Sequence, residues 1–267
     1  MVVERSRRHC LLCDREFDGR AFLCRPCADA YRGRPVPIEV RRRFYEALDR
    51  AYPSWSNTYG QYNPPGALLD RLARFPRSAR LMEVGAGGGF ILERLSRLGF
   101  GHLIGVDLTA TTLAAMRRRV PGAALVAADV EYLPFAAATM DVVLSSDVVE
   151  HLPDLDGHLA EVARVLRPGG SYLLKTPNRR LAELYYRVRG LYDAYFWHPS
   201  MRSCAELRVD LDRHGFDVEF LISSSLTEAQ LRKIPFGVSR ALAARLPLGR
   251  LPVGWHPHLE VVAVRRA

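Results

Sequence analysis

Three groups of residues in this chain combine reactive side-chain types with meaningful spacing. Cys10, Cys13, Cys24 and Cys27 stand as C-x2-C-x10-C-x2-C and make up four of the five cysteines. Four thiolates from two such knuckles suit a closed tetrahedral zinc site with no position left open for a substrate. That chemistry is structural; free thiols or a redox pair are the other reading. The second group is "EVGAGGGF", Glu83 to Phe90. Gly85, Gly87, Gly88 and Gly89 let the backbone turn sharply and pass close to a ligand. The dinucleotide fingerprint G-x-G-x-x-G fails here, because Phe90 occupies its sixth position. The pattern is E-x-G-x-G-x-G. The third group is Asp147, Glu150 and His151 in "SSDVVEHLPD". A histidine titrates near neutrality and suits a general base. A structural role in the loop is a second reading of His151. A third is a divalent cation held by D-x-x-E-H, three ligands sharing one helical face.

These groups need a scaffold, and from Arg80 onward the chain spells one. Short apolar runs alternate with helix-period segments: strand "ARLMEVG", helix "GFILERLSRLG", strand "HLIGVDL", helix "TATTLAAMRRRV", strand "AALVAAD" and strand "MDVVLSSD". A helix "LDGHLAEVARVLRPGG" with a Pro-Gly-Gly stop, strand "SYLLKTPN", helix "SCAELRVDLDRHGF", strand "DVEFLISS" and a closing strand "HLEVVAVRR" follow. Strands alternating with helices of this length predict βαβ units and a parallel sheet. Ligands of such sheets bind at the carboxyl ends of the strands. The glycine loop ends the first strand. Asp107 ends the second, 22 residues past Gly85, where a carboxylate can accept both hydroxyls of a ribose. Asp129 follows the third strand, within reach of an adenine edge; Val130 offers a backbone N–H to that ring and Leu108 an apolar face.

His198 lies in "YDAYFWHPSM", after the fifth strand. Tyr192, Tyr195, Phe196 and Trp197 make that loop aromatic, fit either to stack an aromatic acceptor or to pack on the protein's own core. Trp55, Tyr59 and Tyr62 offer the same choice between lid and packing. "NPPG", 63–66, resembles a catalytic motif of amino-group methyltransferases but precedes the first strand, so it reads as a turn.

The chain divides into a cysteine module with its linker "RGRPVP" (1–37), a helical and lid segment (38–79) and an α/β domain (80–267), of which 226–258 is a cap. The chain has 267 residues, 48% of them hydrophobic, and a net charge of +9. Residues 1–50 hold twelve arginines against eight acids, and 226–267 hold seven basic residues against two acids. Basic ends suit nucleic acid or an acidic substrate, or simply a solvated arginine-rich surface. No apolar run of about 18 residues exists, so no membrane span is expected. "MVVERSRRHC" lacks the apolar stretch of a signal peptide. A cytoplasmic protein is expected, and there paired C-x-x-C motifs favour metal over disulfide. Cys204 reads as a buried structural thiol.

"EVGAGGG", "GVDLT", "AADVEYLPF", "MDVVLSSDVVEHLPD" and "VARVLRPGGSYLLKTPN" together resemble class I S-adenosylmethionine (SAM) methyltransferases. Within these they resemble the branch that includes the ubiquinone and menaquinone biosynthesis enzymes. The resemblance covers about residues 80–225. It implies a Rossmann-like α/β fold with a seven-stranded sheet in the order 3-2-1-4-5-7-6, strand seven antiparallel. It implies Glu83, Gly85, Ala86, Gly87 and Gly89 around the methionine and ribose of SAM, and Asp107 on the ribose. Asp129 and Val130 would read the adenine, and Ser145 and Ser146 would lie near the transferring methyl. His151 and His198 are the catalytic candidates. The expected activity is O-methylation of a small phenolic, polyketide-like, quinone-like or sugar acceptor, with a structural Zn²⁺ in the cysteine module. The alternative is an RNA base methyltransferase, since some rRNA guanine methyltransferases carry an N-terminal zinc module that touches RNA. A scaffold without activity is disfavoured by the intact cofactor residues.

Overall fold

The computed structural model describes residues 7–52, 63–234 and 237–267. The expected lid residues Trp55, Tyr59 and Tyr62 lie outside them. Strands β3 (Arg80–Val84), β4 (His102–Asp107), β5 (Ala124–Ala127), β6 (Met140–Ser146), β7 (Leu166–Pro177), β8 (Phe216–Leu221) and β9 (His258–Arg265) form one sheet in the order β5-β4-β3-β6-β7-β9-β8. β9 runs antiparallel to both β7 and β8, and the other pairs are parallel. This is the order and strand direction that the resemblance implies.

The strands are apolar on both faces because helices cover both, as parallel sheets require. Met82, Val84, Val143, Tyr172, Leu174 and Val261 pack against helices Leu155–Val165 and Cys204–Arg213. The alternate residues Leu81, Val142, Leu144, Leu173 and Val262 face helices Gly66–Leu72, Phe90–Arg97 and Ala110–Arg119 on the other side. One residue of register slip would exchange these two sets.

The cysteine module is a small hairpin, β1 (Arg7–His9) with β2 (Glu16–Asp18), followed by helix α1 (Arg25–Ala30). The first knuckle lies inside the hairpin turn, where Asp14, at φ 59, takes the left-handed conformation, and Gly19 bends the chain after β2. Helix α2 (Ile38–Ala51) follows. A separate core joins the module to α2 and to the segment around Phe196: Leu23, Ala28, Phe44 and Phe196 are buried together.

Three elements differ from the sequence reading. The Pro-Gly-Gly is no helix stop: helix Leu155–Val165 ends before it, and β7 already starts at Leu166, which pairs with Met140. Helix Arg179–Arg189 was not expected, although Asn178 caps it and Gly190, at φ 66, ends it. The span 226–258 folds as helices Glu228–Arg232 and Gly237–Ala244 with two single 3-10 turns.

Candidate functional site

The tips of β3, β4 and β5 bring backbone N–H groups and acids together at one edge of the sheet. Gly85, Gly87 and Gly89 all take positive φ, at 62°, 50° and 76°. At Gly85 a Cβ would lie 2.5 Å from Val148 Cγ2, whereas at Gly87 it would meet nothing within 4 Å. The loop is therefore packed below and open above Gly87, which leaves a cradle for a ligand. Asp107 is buried and locks this loop to the next strand. Its Oδ2 accepts the Gly87 N–H at 2.8 Å, and its Oδ1 accepts the Thr112 hydroxyl at 2.7 Å and the Thr109 N–H at 3.1 Å. Oδ2 keeps a lone pair for a further donor. Glu83 is 3% exposed, and its Oε2 has no hydrogen-bond partner among the described residues. Burial holds its carboxyl well above the usual range. A buried carboxyl with one unpaired oxygen beside an open glycine cradle fits a polar, amine-bearing ligand such as SAM.

Helix α2 lies across this edge, which sequence reasoning did not foresee. Arg41 Nη2 donates to Asp129 Oδ2 at 3.0 Å and to Glu131 Oε2 at 2.8 Å. Asp49 accepts the Thr109 hydroxyl at 3.3 Å. Asp129 also takes the Glu131 N–H at 3.1 Å, so the acid expected at the adenine edge is shared with protein donors. Leu108 is half-buried, and Ala86 and Val130 are buried.

Ser145 and Ser146 do not share a role. Side chains alternate along a strand, and Ser145 is fully buried with its hydroxyl 2.7 Å from the Tyr172 hydroxyl. His158 closes that chain, its Nε2 3.0 Å from the same hydroxyl and its Nδ1 2.8 Å from the Val130 carbonyl. Of the two serines, Ser146 is the one at the edge, 3.4 Å from Asp147 Oδ2.

The tips of β6, β7 and β9 carry a buried polar cluster. Asp147, at φ 57, turns its Oδ2 to Lys175 Nζ at 3.1 Å and to Asn63 Nδ2 at 3.1 Å. Burial pushes the Asp147 carboxyl up, but the Lys175 ammonium, then His258, pulls it below its ordinary value. Glu150 is 1% exposed and accepts the Thr176 hydroxyl at 2.9 Å. Burial, then the Asp147 charge, pushes it up to about 8. His151 Nδ1 lies 2.5 Å from the Trp197 carbonyl and 2.9 Å from the Tyr45 hydroxyl. A carbonyl only accepts, so Nδ1 carries the hydrogen and Nε2 the lone pair. Burial lowers His151 to about 4.

His198 stands beside it, the two rings 4.4 Å apart between centroids, with its Nδ1 2.6 Å from the Tyr186 hydroxyl. The two histidines expected from separate loops thus meet. The D-x-x-E-H patch does not form as expected. Only Val149–His151 makes a 3-10 turn, and Asp147 is drawn to Lys175 instead. One donor atom each of Glu150, His151 and His198 lies within 4.8 Å of the others, two imidazole nitrogens and a carboxylate oxygen.

The four module cysteines converge, their sulfurs all within 4.8 Å and Cys13 Sγ 3.6 Å from Cys24 Sγ. A disulfide would bring sulfurs to about 2.05 Å. Four ligands about 2.3 Å from a zinc ion lie about 3.8 Å apart. The spacing fits the metal. The aromatic loop is taken up by this module: Asp193 Oδ2 accepts the Phe22 and Leu23 N–H groups at 2.7 and 3.0 Å, and Tyr192 donates to the Leu23 carbonyl at 2.6 Å. Phe22 packs edge-on against Trp197, 5.7 Å between centroids.

Residues 82–174 match the family model described as a methyltransferase domain. The chain is 34% identical over 167 residues to the ubiquinone biosynthesis O-methyltransferase of Mesorhizobium japonicum, covering 54% of this chain and 67% of that protein. The protein of the same name in Brucella anthropi is 32% identical over 179 residues, 58% of this chain and 71% of the relative. This chain belongs to the class I SAM-dependent methyltransferases. A SAM-dependent methyltransferase from Thermotoga maritima has the same fold, with a TM-score of 0.58 at 17% identity over 83% of this chain and 98% of that one. The β3–β5 edge of this methyltransferase carries the glycine loop and Asp107, and the β6–β9 edge carries the buried polar cluster. No helix among the described residues is long and apolar enough to cross a membrane.

Proposed function

We propose that this methyltransferase methylates a hydroxyl of a small-molecule acceptor, with His151 Nε2 taking the hydroxyl proton. The observation that carries this reading is the fixed tautomer: Trp197 pins the Nδ1 hydrogen, so the Nε2 lone pair is left for a substrate, with no hydrogen bond to it among the described residues. In this reading the β6–β9 edge is the acceptor half and the β3–β5 edge the donor half. Bound SAM supplies an electrophilic methyl on a sulfonium. Gly85, Ala86, Gly87 and Gly89 pass their backbone beneath its methionine, while Glu83 and Asp107 accept from its amine and ribose hydroxyls. Asp129, Val130 and Leu108 face the adenine, with Arg41 closing that side. The chain's larger contribution is alignment, which supplies roughly 7–11 kcal/mol in well-oriented reactions. His198 holds the face of His151 and narrows the space beside Nε2. Cys10, Cys13, Cys24 and Cys27 hold a structural zinc ion that keeps the Tyr192–Trp197 wall in place.

One observation favours RNA as the second reading. A groove of about 700 Å³ between the cysteine module and α2 has Arg7, Arg8, Arg43 and Arg50 on its walls. Guanidinium groups pair well with phosphates. The test is label transfer from methyl-labelled SAM to phenols and glycosides in one tube and to bulk rRNA in another. Label in an alkali-stable ether of a small molecule supports the first reading. Label in RNA that rises at low salt overturns it.

A further inference from the structure

The cap encloses a cavity of about 410 Å³ against the tips of β7 and β9, with helix Gly66–Leu72 as its other wall. Asp70, Lys175, Ser223, Ser224, His258 and Glu260 line it, and among the described residues no Phe, Tyr or Trp ring does. These polar groups are built in. Glu260, 5% exposed, accepts the Ser223 hydroxyl at 3.0 Å and the Leu68 N–H at 2.9 Å. Lys175, 1% exposed, donates to the Asn63 carbonyl at 2.6 Å as well as to Asp147.

The tautomer of His258 can be read from its neighbours. Gln230 Oε1 accepts the Thr227 N–H at 2.8 Å, so the amide nitrogen is the end that faces His258 Nδ1, at 2.6 Å. Nδ1 therefore accepts and Nε2 carries the hydrogen. That N–H and Asp147 Oδ1 lie 3.6 Å apart, and neither has a hydrogen-bond partner among the described residues. Lys175 and His258, which line the cavity, both stand beside Asp147, the residue that follows β6, and so connect the cavity with the proposed acceptor half.

We propose that this cavity takes a polyhydroxylated, sugar-like portion of the acceptor. The inference rests on the small-molecule reading above and narrows it. A hydroxyl donates and accepts at once, so a diol can satisfy a carboxylate and an N–H donor together. A flat aromatic acceptor could bring hydroxyls too, but among the described residues no Phe, Tyr or Trp lines the cavity to stack its ring, and Tyr192, Phe196 and Trp197 are packed with the cysteine module. A phosphorylated acceptor is opposed by Asp70, Glu228 and Glu260, three carboxylates against the single ammonium of Lys175.

The test uses the full chain, methyl-labelled SAM and two panels: methyl glycosides of hexoses, 6-deoxyhexoses and pentoses with their nucleoside-diphosphate forms, and catechols with hydroquinones. Wild type is compared with Ser224→Trp, which fills the cavity from an exposed position. The expected result is transfer to glycosides in preference to phenols. Ser224→Trp should raise the glycoside KM at least tenfold with the SAM Kd unchanged. Phenols accepted at equal or higher kcat/KM, no transfer to any glycoside, or an unchanged KM in Ser224→Trp overturns the inference. Transfer to phenols alone leaves the small-molecule reading standing, whereas label entering only RNA removes both.

Discussion

The two halves of the sheet edge, proposed as donor half (β3–β5) and acceptor half (β6–β9), are built by different means. In the proposed reading the donor half is mostly local: apart from Arg41 and Asp49 of α2, its residues lie between Glu83 and Val130, at or just past strand ends, and much of its surface is backbone. The acceptor half is assembled from afar. Tyr45, Asn63, Lys175, Trp197 and His258 reach it from five separate segments, most with side chains and Trp197 with its backbone carbonyl. A shared cofactor holds one half constant across a family, while acceptor recognition sits on loops that a rigid scaffold tolerates changing.

The sharpest way to separate the halves is to remove the base from one and the carboxylate from the other. His151→Ala should lower kcat by about 10²–10⁴-fold, the usual worth of a positioned base, with the SAM Kd within twofold of wild type by calorimetry. Because burial holds His151 near 4, kcat should be flat from pH 6 to 8 and fall only as pH approaches 4; a rate that titrates near 6.5 would contradict the buried base. Asp107→Ala leaves the Gly87 and Thr109 N–H groups and the Thr112 hydroxyl without their acceptor. Charged hydrogen bonds contribute about 1.5–3 kcal/mol each, so the SAM Kd should rise about 100-fold; a change under threefold would show that the carboxylate is not part of the donor half.

A third effect lies between the halves. His158 is fully buried, and burial lowers it to about 4 from 6.5. The unfolded chain then binds more protons between these values, so stability is complete above 6.5 and is lost as pH falls toward 4. Lowering the pH from 7 to 5 should cost about 2 kcal/mol through this group, about 30-fold in the folding constant. Denaturant midpoints of wild type and His158→Gln check it, the variant losing less. The smallest effect belongs to the cysteine module. Cys24→Ser should release about one zinc per chain and cut acceptor kcat/KM about tenfold through the Tyr192–Trp197 wall, with the SAM Kd unmoved. Unchanged metal content would refute the zinc site, and an equal loss of SAM affinity would deny that the module serves the acceptor half.

The same contrast explains what was legible in the sequence. The alternation of strands and helices, the glycine loop, Asp107 and Asp129 were legible as short contiguous patterns, because each lies in a strand or in the turn that follows it, while the sheet order came with the family resemblance. His151 and His198 were legible as candidates, but their meeting was not. It depends on Asp193 and Tyr192 fixing the loop to Phe22 and Leu23, some 170 residues away. Arg41 looked like one more surface arginine of an arginine-rich chain, and only the packing of α2 across the edge buries it. "NPPG" read as a turn, yet Asn63 ends 1% exposed beside Asp147. Lys175 did leave a signal, as one of only two lysines, set in an apolar strand. Ser145 and Ser146 show the opposite error, since adjacent residues of a strand cannot face the same ligand.

The acceptor atom is the center of the proposed function, and carbon NMR reads it directly. The enzyme is turned over with SAM carrying a ¹³C methyl group and an accepted small molecule. A product resonance of the methoxy class is the expected result; an N-methyl or C-methyl resonance would contradict O-methylation and, with it, the role assigned to His151.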